Sequence, residues 1–304
     1  MKNIDILNKI NDISGLKIRE NEPMSLHTSF KIGGTSDVFA VPESKDALKC
    51  LIKRAKEEQI PVTVIGAGSN LLVSDKGIRG ITIKIATGLT KAYVKDDFIY
   101  ADSGVSLAKI ASLALKNSLT GFEFASGIPG TLGGAVYMNA GAYGGEMKDV
   151  VVKSEYLDEK ANIKTIIGDS HEFGYRSSFF HSKDDLVILS SEIKLQKGDK
   201  KEIEEKMADL NQRRKDKQPL NFPSAGSAFK RPEGYFAAKL IEDAGLKGKS
   251  VGGAQVSEKH SGFIINTGSA TAEDVLGLLR LVKETVFEKF GVMLTPEIKF
   301  IGEK

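Results

Sequence analysis

The chain has 304 residues, 41% apolar and 27% charged, with 43 Lys and Arg against 40 Asp and Glu for a net charge of +3. The length exceeds one typical domain, and the apolar fraction suffices for a substantial core. The small positive balance is scattered, which gives no case for a nucleic-acid partner and leaves a phosphorylated small molecule compatible.

The single cysteine, Cys50, excludes an internal disulfide. It falls among Leu48, Leu51 and Ile52 in an amphipathic pattern, which predicts a buried structural thiol. Residues 1–17 alternate Ile and Leu with polar residues and lack the apolar run of a secretory signal. No stretch reaches the roughly 18 apolar residues needed to span a bilayer, so a cytoplasmic protein with no membrane partner is expected.

In chain order, Ser36 to Pro42 reads as a strand and Glu43 to Gln59 as a helix with Leu48, Leu51, Ile52 and Ala55 on one face. Val62 to Ile65 is a buried strand. The runs Ile81 to Ile85 and Phe98 to Tyr100 are further strands, and Leu107 to Asn117 returns to helical spacing. Val151 to Tyr156, Lys164 to Ile167 and Leu186 to Lys194 read as strands. The charged segment Asp199 to Lys217 then reads as a solvated helix, with a domain boundary near Gly198. Tyr235 to Ala244 is a helix stopped by Gly245. Thr271 N-caps a long helix that ends at Gly291, its buried stripe being Val275, Leu278, Leu279, Val282 and Val286.

Two phosphate-binding motifs are approached and missed. Gly66-Ala67-Gly68 follows a strand, but Leu71 stands at the third glycine of a dinucleotide fingerprint, and the following residues read as turn and strand. Gly248-Lys249-Ser250 resembles the end of a P-loop, yet Asp243 holds the first glycine position and a helix precedes it. The four histidines, His27, His171, His181 and His260, have no paired ligand spacing, so no metal site and ordinary surface histidines are expected.

Glycines gather in two long segments, Val64 to Val73 and Gly127 to Gly144. Tight turns are the commoner reason for any one glycine. Successive amides without Cβ atoms, beside Ser69, Asn70, Thr131 and Asn139, also form a concavity that a pyrophosphate can approach closely.

These segments, with Thr28-Ser29-Phe30-Lys31-Ile32-Gly33-Gly34 upstream, resemble the UDP-N-acetylenolpyruvoylglucosamine reductase family of the para-cresol methylhydroxylase-like flavoproteins. Phe173 to Phe179 (around Tyr175-Arg176-Ser177), Ala225 to Pro232 and Leu294 to Gly302 extend the resemblance over residues 20–302. The resemblance implies an α+β protein with an FAD-binding domain of two α+β subdomains and a carboxy-terminal α+β substrate-binding domain. The expected segments are 1–32, 33–198 and 199–304. It also implies FAD as cofactor, held by Gly66, Ala67, Gly68, Ser69, Asn70, Gly127, Gly130, Thr131, Gly133, Gly134, Asn139 and Ala140. NADPH is the implied reductant of a ping-pong cycle, a UDP-sugar the substrate, and a monomer is expected.

Adding hydride to an enolpyruvyl double bond builds charge on the adjacent carbon and its carboxylate, which calls for a cation, an acid and a proton donor. The resemblance assigns these to Arg176, Glu297 and Ser227. It suggests substrate contacts at Tyr175, Lys215, Lys230 and Arg231. Arg231 departs from the asparagine of some members, and the length fits the branch without an inserted substrate-covering loop. A histidine-tethered flavin oxidase is disfavoured, since no histidine lies within Gly66 to Val73 or Gly121 to Glu146. A regulator that has lost activity is disfavoured by the three catalytic positions.

Overall fold

The computed structural model describes residues 3–181, 183 and 185–303. The fold is α+β, and its contacts divide the chain into two compact units. Unit one comprises residues 1–20, 38–67 and 80–214, and unit two comprises 21–37, 68–79 and 215–304. Against the expected segments, residues 199–214 cluster with unit one, and two early stretches cluster with the carboxy-terminal residues. Long-range pairing is the physical reason. Leu71–Val73 runs parallel to Lys299–Ile301, in register from Leu71 opposite Lys299 to Val73 opposite Ile301.

Unit one contains two layers of helix on sheet. In the first, Leu16–Pro23, Thr35–Pro42, Ile78–Lys84 and Val62–Ile65 lie in that spatial order. The helix Lys45–Glu57 buries Ala47, Leu48, Leu51, Ile52 and Ala55 and is capped by Ser44, whose hydroxyl accepts the Ala47 N–H. Cys50, expected inside, is exposed. It stands on the polar side of that helix, because the stripe at 47, 48, 51, 52 and 55 is already complete without it.

The second layer is a five-stranded antiparallel sheet in the order Ile163–Ile167, Val151–Leu157, Val187–Lys194, Phe98–Asp102, Ala92–Lys95. Leu107–Lys116 packs Leu107, Ile110 and Ala111 into a core with Ile99, Ile193 and Phe122. A short helix absent from the sequence reading, Leu132–Met138, adds Leu132, Ala135 and Val136 to that core.

Unit two is built around Ser224–Ser227, Phe263–Asn266, Ala254–Val256 and Ser250–Val251, in that spatial order. Its helix Ala272–Phe290 buries Val275, Leu278, Leu279, Val282 and Val286 against Phe30, Leu72, Ile264 and Leu294. Thr271 closes a capping box: its hydroxyl accepts the Asp274 N–H at 3.1 Å and Asp274 accepts the Thr271 N–H at 3.0 Å. Main-chain donors from Thr271 and Gly253 hold the Asp274 carboxyl below the usual carboxylate range. Gly291 ends the helix in the left-handed region at φ 68°. Among the described residues, no helix is long and apolar enough to cross a membrane.

Thr271→Ala removes one half of this box. Urea unfolding should show a loss of about 1 kcal/mol with an unchanged denaturant slope; an unchanged midpoint would deny the cap its role.

Candidate functional site

The two glycine-rich segments meet within unit one. A Cβ on Gly66 would collide with Thr131 Oγ1, so the turn after Val62–Ile65 packs directly on the N-cap of Leu132–Met138. The sequence reads residues 127–144 as loop; Thr131, buried Leu132, Ala135 and Val136, and a left-handed Asn139 at φ 43° make two turns of helix there instead. Gly133 lies against Ser103. Its N–H donates to Ser103 O at 2.8 Å, and a Cβ would stand 2.8 Å from Ser103 Cβ. Gly130 takes φ 155° immediately before the cap.

Two buried hydroxyls, Ser103 Oγ and Ser126 Oγ, make no hydrogen bond among the described residues. Buried polar groups of folded proteins are generally hydrogen-bonded, so these two hydroxyls, beside Gly133 and Gly127, are suited to meet a polar ligand. Such a surface fits FAD. Sequence reasoning missed both serines, since a lone serine beside a turn carries no signal of its own.

The segment around Arg176 is a tight turn held at several points. Gly174 and Ser177 exchange N–H donors at 3.1 and 3.3 Å, and Arg176 sits in the left-handed region at φ 54°, an uncommon conformation for a residue with a side chain. At its base, Asn139 Nδ2 donates both to Gly174 O and to Glu146 Oε2, each at 3.0 Å, while its Oδ1 accepts the Lys148 N–H at 2.9 Å. Asn139, expected at the cofactor, is wholly buried and spends both side-chain donors on this bracket. Arg176 Nη2 donates to Gly141 O at 3.4 Å, and its guanidinium carbon lies 5.0 Å from the Tyr175 ring centre.

At the neck of the turn stands His171, expected at the surface and found fully buried. Its Nδ1 is 2.9 Å from Gly168 O and its Nε2 is 2.9 Å from Ser154 Oγ, which lies 2.8 Å from Ser191 Oγ. A carbonyl can only accept, so Nδ1 carries the proton, Nε2 accepts from Ser154, and Ser191 donates to Ser154. The Phe173 ring stacks on the imidazole at 4.9 Å, and the Phe179 N–H donates to His171 O at 2.7 Å, closing the turn.

In unit two, Ser227 ends Ser224–Ser227 on an exposed side, after Gly226 at φ 78° and a register shift against Phe263–Asn266. The next residues pair on their other side with residues 295–297. Glu297 N–H donates to Ala228 O at 2.9 Å, Lys230 N–H donates to Thr295 O at 2.8 Å, and Phe229 and Pro296 form an antiparallel bridge. The chain thus brings Ser227 and Glu297 to adjacent backbone positions, although 69 residues, 228–296, lie between them along the sequence. Arg231 lies over the Phe236 ring at 3.9 Å and donates from Nε to Tyr235 O at 3.2 Å. Lys215 is exposed, and its carbonyl accepts Lys259 Nζ at 2.6 Å. No group of His, Cys, Asp and Glu suited to a metal occurs among the described residues.

Burial lowers the His171 pKa, so the folded chain binds fewer protons there than the unfolded chain. The stability this group contributes is present above the unfolded value of about 6.5 and is lost as pH falls from there towards the folded value. His260 shifts in the same sense, again chiefly by burial. His171→Phe keeps the stack on Phe173 and should flatten, not abolish, the fall in unfolding free energy between about pH 7 and pH 5; stability curves that stay parallel would contradict the assignment.

Comparison with known proteins matches two segments of the chain to family models. Residues 36–166 match the FAD binding domain model, and residues 218–301 match the model of the UDP-N-acetylenolpyruvoylglucosamine reductase C-terminal domain. The chain is 59% identical over 288 residues to the UDP-N-acetylenolpyruvoylglucosamine reductase of Caldanaerobacter subterraneus subsp. tengcongensis, covering 95% of each chain. It is 50% identical over 304 residues to the reductase of the same name from Clostridioides difficile, covering 100% of each. The crystal structure of the Thermus caldophilus reductase matches with a TM-score of 0.80 at 32% identity, over 94% of this chain and 98% of that one.

Proposed function

The chain belongs to the UDP-N-acetylenolpyruvoylglucosamine reductase family, and on that premise we propose that it reduces UDP-N-acetylglucosamine enolpyruvate to UDP-N-acetylmuramate, with electrons from NADPH passed through FAD, in peptidoglycan precursor synthesis. The observation that carries the residue assignment is the backbone pairing that sets Ser227 beside Glu297.

Bound FAD supplies the hydride that adds to the terminal carbon of the enolpyruvyl double bond. The electron pair displaced from that bond moves onto the adjacent carbon and its carboxylate. Arg176 offers a planar cationic fork that pairs with a carboxylate in a fixed orientation, and a left-handed turn clamped by Asn139 and His171 limits its freedom. Glu297 in its acid form donates to the developing enolate oxygen and keeps the extra charge off the carbon skeleton.

The Ser227 O–H transfers its proton to the carbon bearing the carboxylate, which completes the new sp³ centre. Solvent then returns one proton to the serine, so the net change is one hydride and one proton added across the double bond. Exposure of Ser227 suits that resupply. The turns at Gly66 and Gly130, with the Ser103 and Ser126 hydroxyls, would hold the pyrophosphate of the flavin by main-chain and hydroxyl donation. Lys215, Lys230 and Arg231 are the cations assigned to the diphosphate of the sugar nucleotide.

Rapid-mixing measurement of the two half-reactions separates these roles. Ser227→Ala should leave flavin reduction by NADPH within about twofold and slow reoxidation by the enolpyruvyl substrate by about 10³-fold, the scale of a lost general acid. Glu297→Gln keeps a donor and loses the acid, and should slow the same step by about a hundredfold. Equal slowing of both half-reactions by Ser227→Ala would remove the serine from proton transfer.

A further inference from the structure

Within unit two the first glycine-rich segment is tied to the segments carrying Ser227 and Glu297 by a closed ring of hydrogen bonds. Asn70 Nδ2 donates to Glu297 O at 3.1 Å, and Asn70 O accepts the Lys299 N–H at 3.0 Å. Side chain and main chain of one residue therefore grip Glu297 and Lys299 together. On its other side Glu297 N–H donates to Ala228 O at 2.9 Å, and Ala228 N–H donates to Gly262 O at 2.8 Å. Ser29 completes the ring: its N–H donates to Gly68 O at 3.1 Å and its hydroxyl to Ser224 O at 2.6 Å.

The ring has little slack. Gly68, at φ 68°, packs so closely on residues 27 and 28 that a Cβ would collide with His27 O. Only Ser69 separates Gly68 from Asn70 in the chain. Leu71–Val73 then continues into parallel pairing with Lys299–Ile301, so the grip of Asn70 begins a ladder. Glu297 is held through its backbone on both edges, which leaves its carboxyl orientation to follow the position of the 68–70 turn.

We infer that Ser29 and Asn70 are a positioning pair, which locks the proton donor Ser227 and the acid Glu297 into the frame of the glycine turn that receives the cofactor. The inference rests on the roles given to Ser227 and Glu297 above. Asn70, an expected cofactor contact, donates through its amide to the backbone carbonyl of Glu297. A shift of the turn is passed through Asn70 to Glu297 and Lys299, one bond to each, and through Ser29, bonded to Gly68 and to Ser224, to the Ser224–Ser227 strand. Placement errors near 1 Å cost reaction steps heavily, so a link of this kind decides the rate of the substrate half-reaction while leaving the reductant half-reaction alone.

Asn70→Asp tests it, because the side chain keeps its size, loses its donor and places a carboxylate against a carbonyl. In FAD-loaded enzyme, amide hydrogen exchange over residues 295–300 should speed up by about tenfold. Flavin reoxidation by the enolpyruvyl substrate should slow by about tenfold or more while reduction by NADPH stays within about twofold. Ser29→Ala should show the same split, with faster exchange at residues 224–228, and supplies the test if Asn70→Asp does not fold. Unchanged exchange or reoxidation in either variant that folds would overturn the inference, as would an equal fall in both half-reactions. Glu297→Gln is measured alongside: if it slows reoxidation and Asn70→Asp does not, the positioning pair alone falls. If Glu297→Gln has no effect, the role of the acid falls and takes the inference with it.

Discussion

Glu297 N–H to Ala228 O, at 2.9 Å, is the bond on which the arrangement of unit two turns. It joins the end of the chain to the loop after Ser224–Ser227, and Asn70 fixes the opposite edge of the same segment. Main-chain bonds of this sort set position to within fractions of an ångström without spending a side chain, so the functional groups stay available for chemistry. Individually each is worth only about 1 kcal/mol. Their value lies in closing a ring whose members come from four separate stretches of chain, so that no one stretch can drift alone.

The turn at Arg176 solves a different problem. A left-handed arginine costs conformational free energy of order 1 kcal/mol or more, and such residues persist only where the surroundings over-determine them. Here the surroundings are a buried asparagine bonded to Gly174 at the base of the turn and a buried histidine, bonded through both nitrogens, further back at the neck. Both residues are polar and inaccessible, and their side chains bond to the protein at several points. A buried histidine bonded through both nitrogens works as a rigid cross-link, and its neutral form is the one that burial favours.

Local signals made the helices legible. Periodic apolar faces marked Lys45–Glu57 and Leu107–Lys116, Thr271 was readable as a cap, and Gly291 stops the last helix where expected. The strand after the Gly66 turn, in place of a helix, was also readable, because Leu71 breaks the glycine spacing that a Rossmann turn needs. What the sequence hid is non-local. Nothing in Leu71–Val73 announces a parallel partner at Lys299–Ile301, so the clustering of residues 21–37 and 68–79 with the carboxy terminus could not be read. Leu132–Met138 was hidden by Gly133 and Gly134, which lower helix propensity and look like loop until the Thr131 cap is seen. Cys50 misled because a cysteine among leucines looks apolar, while the phase of the helix turns it outward. For Arg176, Ser227 and Glu297, residue type alone is mute. It was the company they keep in Tyr-Arg-Ser, Ala-Gly-Ser and Thr-Pro-Glu that singled them out.

The central claim, a flavin enzyme that passes electrons from NADPH to an enolpyruvyl sugar nucleotide, is tested most directly by one anaerobic cuvette. FAD-loaded protein is titrated with NADPH and then with UDP-N-acetylglucosamine enolpyruvate while the visible spectrum is recorded. The account requires flavin bands that bleach with the first addition and return in full with the second. Bands that bleach and fail to return would contradict the substrate, and a protein that shows no flavin bands after incubation with FAD would contradict the account as a whole.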